Sequence, residues 1–164
     1  FGIDRELKAI KDYQAWERRE MTFDIEESGY KYQPTDIDAC FGLAALPDLD
    51  EVIKYRRELA EEYLKNLEPL DNILTIVGGS YWLFGILIEK RDELAEFLKI
   101  NNIETNMVHL RNDIFKILGG KRLDMPNMDW IEPRYLYLPI NPKVTKENVK
   151  YICDKIKEFY KSMN

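Results

Sequence analysis

Two stretches of this 164-residue chain put polar and charged side chains close enough together to act on one ligand. In the first, Gly29-Tyr30-Lys31-Tyr32-Gln33-Pro34-Thr35-Asp36-Ile37-Asp38-Ala39-Cys40, an extended run turns abruptly into a helix. Gly29 permits a backbone angle that other residues avoid, while Tyr30, Tyr32 and the residue before Pro34 favour an extended path. Thr35 is suited to be the N-cap, with Asp36 in the first turn and Asp38 completing a capping-box pattern. A helix N-terminus carries unpaired N–H groups and the positive end of the dipole, so with Lys31 beside it this turn could receive an anion. A capped helix can equally well bind nothing. Asp36 and Asp38 stand at i, i+2, so their side chains diverge and read as capping groups, not as an acid/base pair.

The second stretch holds Asn106, His109, Arg111, Asn112 and Asp113 after an apolar run, and His109 is the only histidine of the chain. Two readings stand side by side here: a capped loop with a hydrogen-bonded structural histidine, or the polar edge of a binding site. No glycine-rich nucleotide loop, Ser-His-Asp arrangement or His/Cys metal spacing occurs, which argues against a self-contained hydrolase or metalloenzyme.

The elements that position these residues follow from periodicity. Ile37, Cys40, Phe41, Ala44 and Ala45 share one helical face, which predicts that the Thr35 helix is anchored in a core. Pro47 breaks the chain, Asp48 can cap, and Leu49, Val52, Ile53, Arg56, Leu59, Ala60, Tyr63, Leu64 and Leu67 form one stripe of a long helix. The period then changes. Residues 73 to 77 and 81 to 88 are β-rich runs joined through Gly78-Gly79-Ser80, which predicts two paired strands. A helix follows from Arg91 to Ile100, then a third strand from Ile103 to His109, a helical turn before Gly119-Gly120, an irregular stretch from Leu123 to Trp130, and a last strand from Tyr135 to Ile140. Thr145 caps a closing helix with Val149, Ile152, Cys153, Ile156 and Phe159 inward. Ahead of all this, Leu7 to Trp16 has the spacing of a short amphipathic helix, and Met21 to Ile25 alternates as an extended arm.

Composition limits the partners. With 24 basic against 30 acidic residues and a net charge of −6, the chain has no electrostatic footprint for nucleic acid or an anionic membrane. Its longest apolar run, Tyr81 to Ile88, is far below spanning length. Cys40 and Cys153 fall on the apolar faces of two helices without metal-ligand spacing, which reads as packed, reduced thiols and a cytoplasmic compartment.

The run Gly29-Tyr30-Lys31-Tyr32-Gln33-Pro34-Thr35-Asp36-Ile37, followed by Ala39 and by Gly42-Leu43-Ala44-Ala45-Leu46, resembles the signature of the DegT/StrS family. These are nucleotide-sugar aminotransferases of the pyridoxal-phosphate fold type I superfamily. The likeness continues through Asn106-Met107-Val108-His109 and through Leu136-Tyr137-Leu138-Pro139-Ile140-Asn141-Pro142, and it covers essentially the whole chain. Three positions depart from the pattern: Lys31 stands where the family usually has Asn, Gln33 replaces Arg, and Pro34 replaces Met.

The resemblance implies an α/β fold, the C-terminal small domain of such a transferase, with a small, mainly antiparallel sheet and helices packed on it. Residues 1–47 would be the connecting arm and helix from a large cofactor domain, and residues 48–164 the small domain. Phe1-Gly2-Ile3-Asp4-Arg5 is similar to a run that in the family follows the loop bearing the cofactor lysine. A C-terminal region without that lysine, inert by itself and with no catalytic residue of its own, is therefore expected. By resemblance, the parent is a homodimer that uses pyridoxal 5'-phosphate, glutamate and a keto-sugar nucleotide, in cell-surface polysaccharide or amino-sugar biosynthesis. Lys31 would hold the phosphate of the neighbouring subunit's cofactor, as a charged donor in place of an amide. Tyr30, Gln33, Asn106, His109, Arg111 and Asn112 would border the substrate, with neutral donors for hydroxyls and Arg111 for the diphosphate. A sugar dehydratase of the same family, with histidine in place of the lysine, and a non-catalytic interaction domain are the alternatives.

Overall fold

The computed structural model describes residues 34–68 and 73–162, together with 25, 28 and 70. The expected amphipathic helix over Leu7 to Trp16 lies outside the described residues, as does most of the arm ending at Ile25.

Thr35 opens the first helix, α1 (Asp36–Ala45), with the capping box expected of it. Its Oγ1 accepts from the Asp38 amide at 3.3 Å, and the Asp38 carboxylate accepts from the Thr35 amide at 2.9 Å. The expectation that this helix is anchored in a core is corrected by the structure. No side chain of α1 is buried, and Ile37 and Phe41 are 69% and 73% exposed. The spacing of the apolar residues is helical, but no element of the described chain packs on them; Cys40, read as a packed thiol, is exposed for the same reason.

Pro47 does not break the chain but sits inside a 3-10 turn, Leu46–Asp48, that runs directly into α2 (Leu49–Leu67). Asp48 is in helical conformation and makes no side-chain cap. Only the second half of the α2 stripe is fully buried: Leu59, Ala60, Tyr63 and Leu67 enter the core, while Leu49 stays exposed.

The sheet is three antiparallel strands in the order β1 (Ile73–Ile76), β2 (Phe84–Ile88), β3 (Tyr135–Leu138). Register pairs Ile73 with Ile88, Thr75 with Ile86, Ile86 with Leu136, and Phe84 with Leu138. Because side chains alternate across a strand, these residues share the inner face, and Leu74, Ile76, Leu87, Tyr135 and Tyr137 share the outer one. On that outer face Gly85 lets the Ile76 and Tyr137 side chains close over the backbone: a Cβ there would lie 2.7 Å from Ile76 Cδ1 and 3.1 Å from Tyr137 Cε1.

Helices α3 (Arg91–Ile100) and α5 (Lys146–Lys161) close the inner face together with α2. Thr145 caps α5 through Asn148, and Val149, Ile152, Cys153, Ile156 and Phe159 are buried as their spacing predicts. Two tyrosines of α2 tie this layer to the loop after β3, the Tyr63 hydroxyl donating to Pro139 O and that of Tyr55 to Val144 O, each at 2.8 Å. Tyr63 also stacks on Phe84, 4.6 Å between centroids, joining helix and sheet at the centre of the core.

Three further expectations are corrected. The second strand begins at Phe84, not Tyr81, because Tyr81 takes a left-handed backbone (φ 50°) that no strand continues. Residues 103 to 109 are not a strand: they make one antiparallel bridge, Asn106 with Tyr137. Asn106 Oδ1 then accepts from the Val108 amide at 3.0 Å and Val108 turns left-handed (φ 42°), so pairing stops after a single bridge. Finally, the stretch read as irregular contains a short helix, α4 (Pro126–Ile131), with Pro126 in the first turn, where its missing N–H is harmless.

Candidate functional site

Of the expected site residues, Tyr30, Lys31 and Gln33 lie outside the described residues. The helix end they lead to is described. Thr35 and Asp38 satisfy each other there, and the Thr35 hydrogen bonds hold the Asp38 carboxyl below its ordinary range. A carboxylate thus occupies the position where helix amides would meet an anion. The capping box takes up the Thr35 and Asp38 amides and sets a negative charge beside the remaining amides of the first turn, which works against a phosphate there. Among the described residues no cluster of three or more His, Cys, Asp or Glu side chains could hold a metal.

The second stretch is divided by the structure into two environments. Asn106 is pinned beside β3: its amide donates to Tyr137 O at 3.2 Å, and its carbonyl accepts from the Tyr137 amide at 2.8 Å. His109 is exposed. Its carbonyl accepts from the Tyr135 hydroxyl, and its ring meets two aromatic rings, Trp82 at 6.3 Å and Tyr137 edge-on at 6.1 Å. Asn112 is exposed, and its carbonyl accepts from the Phe115 amide at 3.2 Å.

Arg111 points elsewhere. It is 3% exposed, and Asp113 takes its Nε at 2.6 Å and its Nη2 at 2.5 Å in a bidentate fork. Asp129, on α4, takes Nη1 at 2.5 Å, and Leu123 O takes Nη2 at 3.2 Å. Asp113 also accepts from the Leu123 amide at 2.8 Å. Charge pairing has the expected consequences: hydrogen bonds from Arg111 hold the Asp113 carboxyl well below the usual carboxylate range, and those same bonds raise the guanidinium. The anion partner expected for Arg111 is therefore supplied by the chain's own carboxylates, and its place is in the clasp that closes residues 111 to 132.

Sequence reasoning passed over Trp82 and Asp129. Trp82 was counted within a strand, and only the left-handed turn at Tyr81 shows that it stands outside one, 61% exposed. Asp129 lies in the stretch read as irregular; a helix started by Pro126 was the available signal.

Comparison with known proteins agrees with the resemblance. A model of the DegT/DnrJ/EryC1/StrS aminotransferase family matches residues 3–157. The chain is 35% identical over 138 residues to GDP-perosamine synthase of Escherichia coli O157:H7, covering 80% of this chain and 38% of that protein. It is 32% identical over 151 residues to the protein MJ1066 of Methanocaldococcus jannaschii, covering 83% and 39%. It thus spans about two-fifths of the length of these relatives. Among solved structures, the sugar aminotransferase CalS13 from Micromonospora echinospora has a TM-score of 0.71 over 96% of this chain and 42% of its own. At 23% identity that likeness speaks for the fold alone. Because the family match runs through nearly all of the sequence and the sheet and helices agree with a sugar-aminotransferase structure, this chain belongs to the DegT/DnrJ/EryC1/StrS aminotransferase family.

Proposed function

We propose that this chain is the C-terminal region of a cytoplasmic, pyridoxal-phosphate-dependent aminotransferase that moves an amino group from glutamate to a keto-sugar nucleotide, in cell-surface polysaccharide or amino-sugar biosynthesis. The observation that carries this reading is the family match over residues 3–157, reinforced by 35% identity to a GDP-perosamine synthase. In the intact homodimer, residues 1–47 connect to a large cofactor domain and residues 48–164 form the small domain. The apolar side chains that α1 leaves in water support this division, since a patch of that kind is ordinarily covered by further protein.

The cofactor, when bound, supplies the electron sink for transamination. This chain supplies position and charge. Lys31 would hold the phosphate of the neighbouring subunit's cofactor as a charged donor, and the engagement of the Thr35 and Asp38 amides in their capping box supports giving that part to its ammonium. Tyr30, Gln33, Asn106, His109 and Asn112 border the substrate and offer donors and acceptors to its polar groups. Arg111 acts through its clasp, fixing the loop that carries Asn112.

In the full-length enzyme, Lys31→Ala should speed loss of pyridoxal phosphate by an amount equivalent to ~1.5 to 3 kcal/mol, the worth of a charge-assisted hydrogen bond. Lys31→Asn should recover much of it. Cofactor dissociation measured for the three proteins tests the assignment, and unchanged retention in Lys31→Ala makes Lys31 an ordinary solvated side chain. An enzyme that transfers no amino group from glutamate to any keto-sugar nucleotide would refute the wider reading.

A further inference from the structure

We propose that Trp82 and His109 form a stacking cleft for the nucleobase of the substrate, an inference that rests on the nucleotide-sugar reading above. The two rings come from different parts of the chain and are brought together by two uncommon backbone turns. Tyr81, directly before Trp82, has φ 50°, and Val108, directly before His109, has φ 42°. A left-handed backbone is costly for an aromatic residue and more so for a β-branched one, and such strain gathers where side chains are held for a ligand.

The residues around the turns hold them in place. The Tyr81 ring faces Phe84 at 6.2 Å, and its hydroxyl accepts from the Gly78 amide at 3.1 Å. Behind Val108 stand the double bridge of Asn106 to Tyr137 and the Tyr135 hydroxyl on His109 O. What this scaffold presents is an indole that is 61% exposed, with the imidazole 6.3 Å away and tilted by 49°. At that separation the two rings are an ordinary tilted aromatic pair, too close together to admit a third ring between them. A planar ligand therefore lies on the exposed indole face turned away from the imidazole, with the imidazole at its edge as hydrogen-bonding group.

Arg111 of the same loop is committed to Asp113 and Asp129, so its guanidinium is not the group that faces the ligand here. Of the parts of a nucleotide-sugar, the base alone has a flat π-face to match the exposed indole, and base stacking on an aromatic side chain is tolerant of base identity.

The test measures calorimetric affinity of the full-length enzyme for GDP, UDP and dTDP, with inorganic pyrophosphate as the probe that lacks a base. Trp82→Ala should weaken the nucleotides by about tenfold or more and leave pyrophosphate unchanged. Trp82→Phe, which keeps a stacking face, should restore most of the affinity, and Trp130→Phe should change nothing. Nucleotide affinity in Trp82→Ala equal to wild type overturns the cleft while leaving the aminotransferase reading intact, and so does an equal loss of pyrophosphate. If Trp82→Ala does not fold, Trp82→Leu, which keeps bulk without an aromatic face, and His109→Ala carry the test: an undiminished nucleotide affinity in either overturns the cleft. A wild-type enzyme that aminates a free keto-sugar and binds none of the three nucleotides overturns both proposals.

Discussion

Leu59→Ala is the substitution whose cost the structure predicts most directly. Leu59 is 0% exposed in the part of α2 that meets α5 and the inner face of the sheet. Truncation removes three carbon atoms from the core, and at roughly 0.8 kcal/mol per buried methylene the transfer component alone is about 2.4 kcal/mol. The same core holds the stacked Tyr63 and Phe84 rings, whose mutual packing resists collapse into a gap. The cavity component brings the expected total to about 3 to 4 kcal/mol, inside the roughly 2 to 5 seen for such changes. With a urea slope of about 2 kcal/mol per molar, the unfolding midpoint of the chain should fall by about 1.5 to 2 M. The control is Phe41→Ala on α1, larger in volume yet made at a 73% exposed position, which should shift the midpoint by little in this chain. In the full-length enzyme the same Phe41→Ala should become costly, because there the proposal has α1 covered. Equal midpoints for Leu59→Ala and wild type, or a Phe41→Ala effect as large as that of Leu59→Ala in the isolated chain, would refute the division between core and uncovered helix.

The Arg111 clasp should loosen in acid. Asp113 has a folded-state pKa held below its ordinary value by Arg111, so the stability it contributes is present above about pH 4 and is lost as pH falls toward the lowered value. Amide exchange at Leu123, whose N–H binds Asp113, should accelerate through that window, and Asp113→Asn should remove the pH dependence; an unaltered profile in the variant would assign it to other carboxylates. The two cysteines should differ in reactivity. Burial pushes the Cys153 thiol up to about 12, so at pH 8 an alkylating reagent should label exposed Cys40 promptly and Cys153 only after unfolding, and mass spectrometry of both peptides over time would expose any error in that order.

The elements legible in the sequence are those whose signal is local or fully periodic. Thr35 and Thr145 announce their helices because a hydroxyl three residues before a matching Asp or Asn caps regardless of what surrounds it. The inward face of α5 was readable residue by residue because the helix lies on one continuous core. Where legibility failed, the deciding partner was out of sight. Apolar spacing on α1 shows that a face exists, not that this chain supplies its cover. The alternation from Ile103 to His109 is that of a strand, but one asparagine side chain competing for a backbone amide ends the pairing at Asn106. Arg111 followed the same rule. Its spacing from His109 suggested a common ligand, whereas its actual partners include Asp129, eighteen positions further on, in a helix that periodicity did not reveal.

The junction at Leu46–Asp48 gives α1 an unusual mechanical position. Ten residues of helix make a rod about 15 Å long, joined at one end to α2 through a single 3-10 turn and burying none of its side chains. Such a rod behaves as a lever whose short arm is the Pro47 turn and whose far end is Thr35, the entrance to the Lys31 stretch. Its heading is set less by the domain it grows from than by whatever surface it leans on. A displacement of that surface would swing Thr35 through an arc while leaving the sheet and the Trp82 face where they are. The chain thereby separates the part that must be stiff from the part that must be aimed, with a proline-stiffened pivot between them.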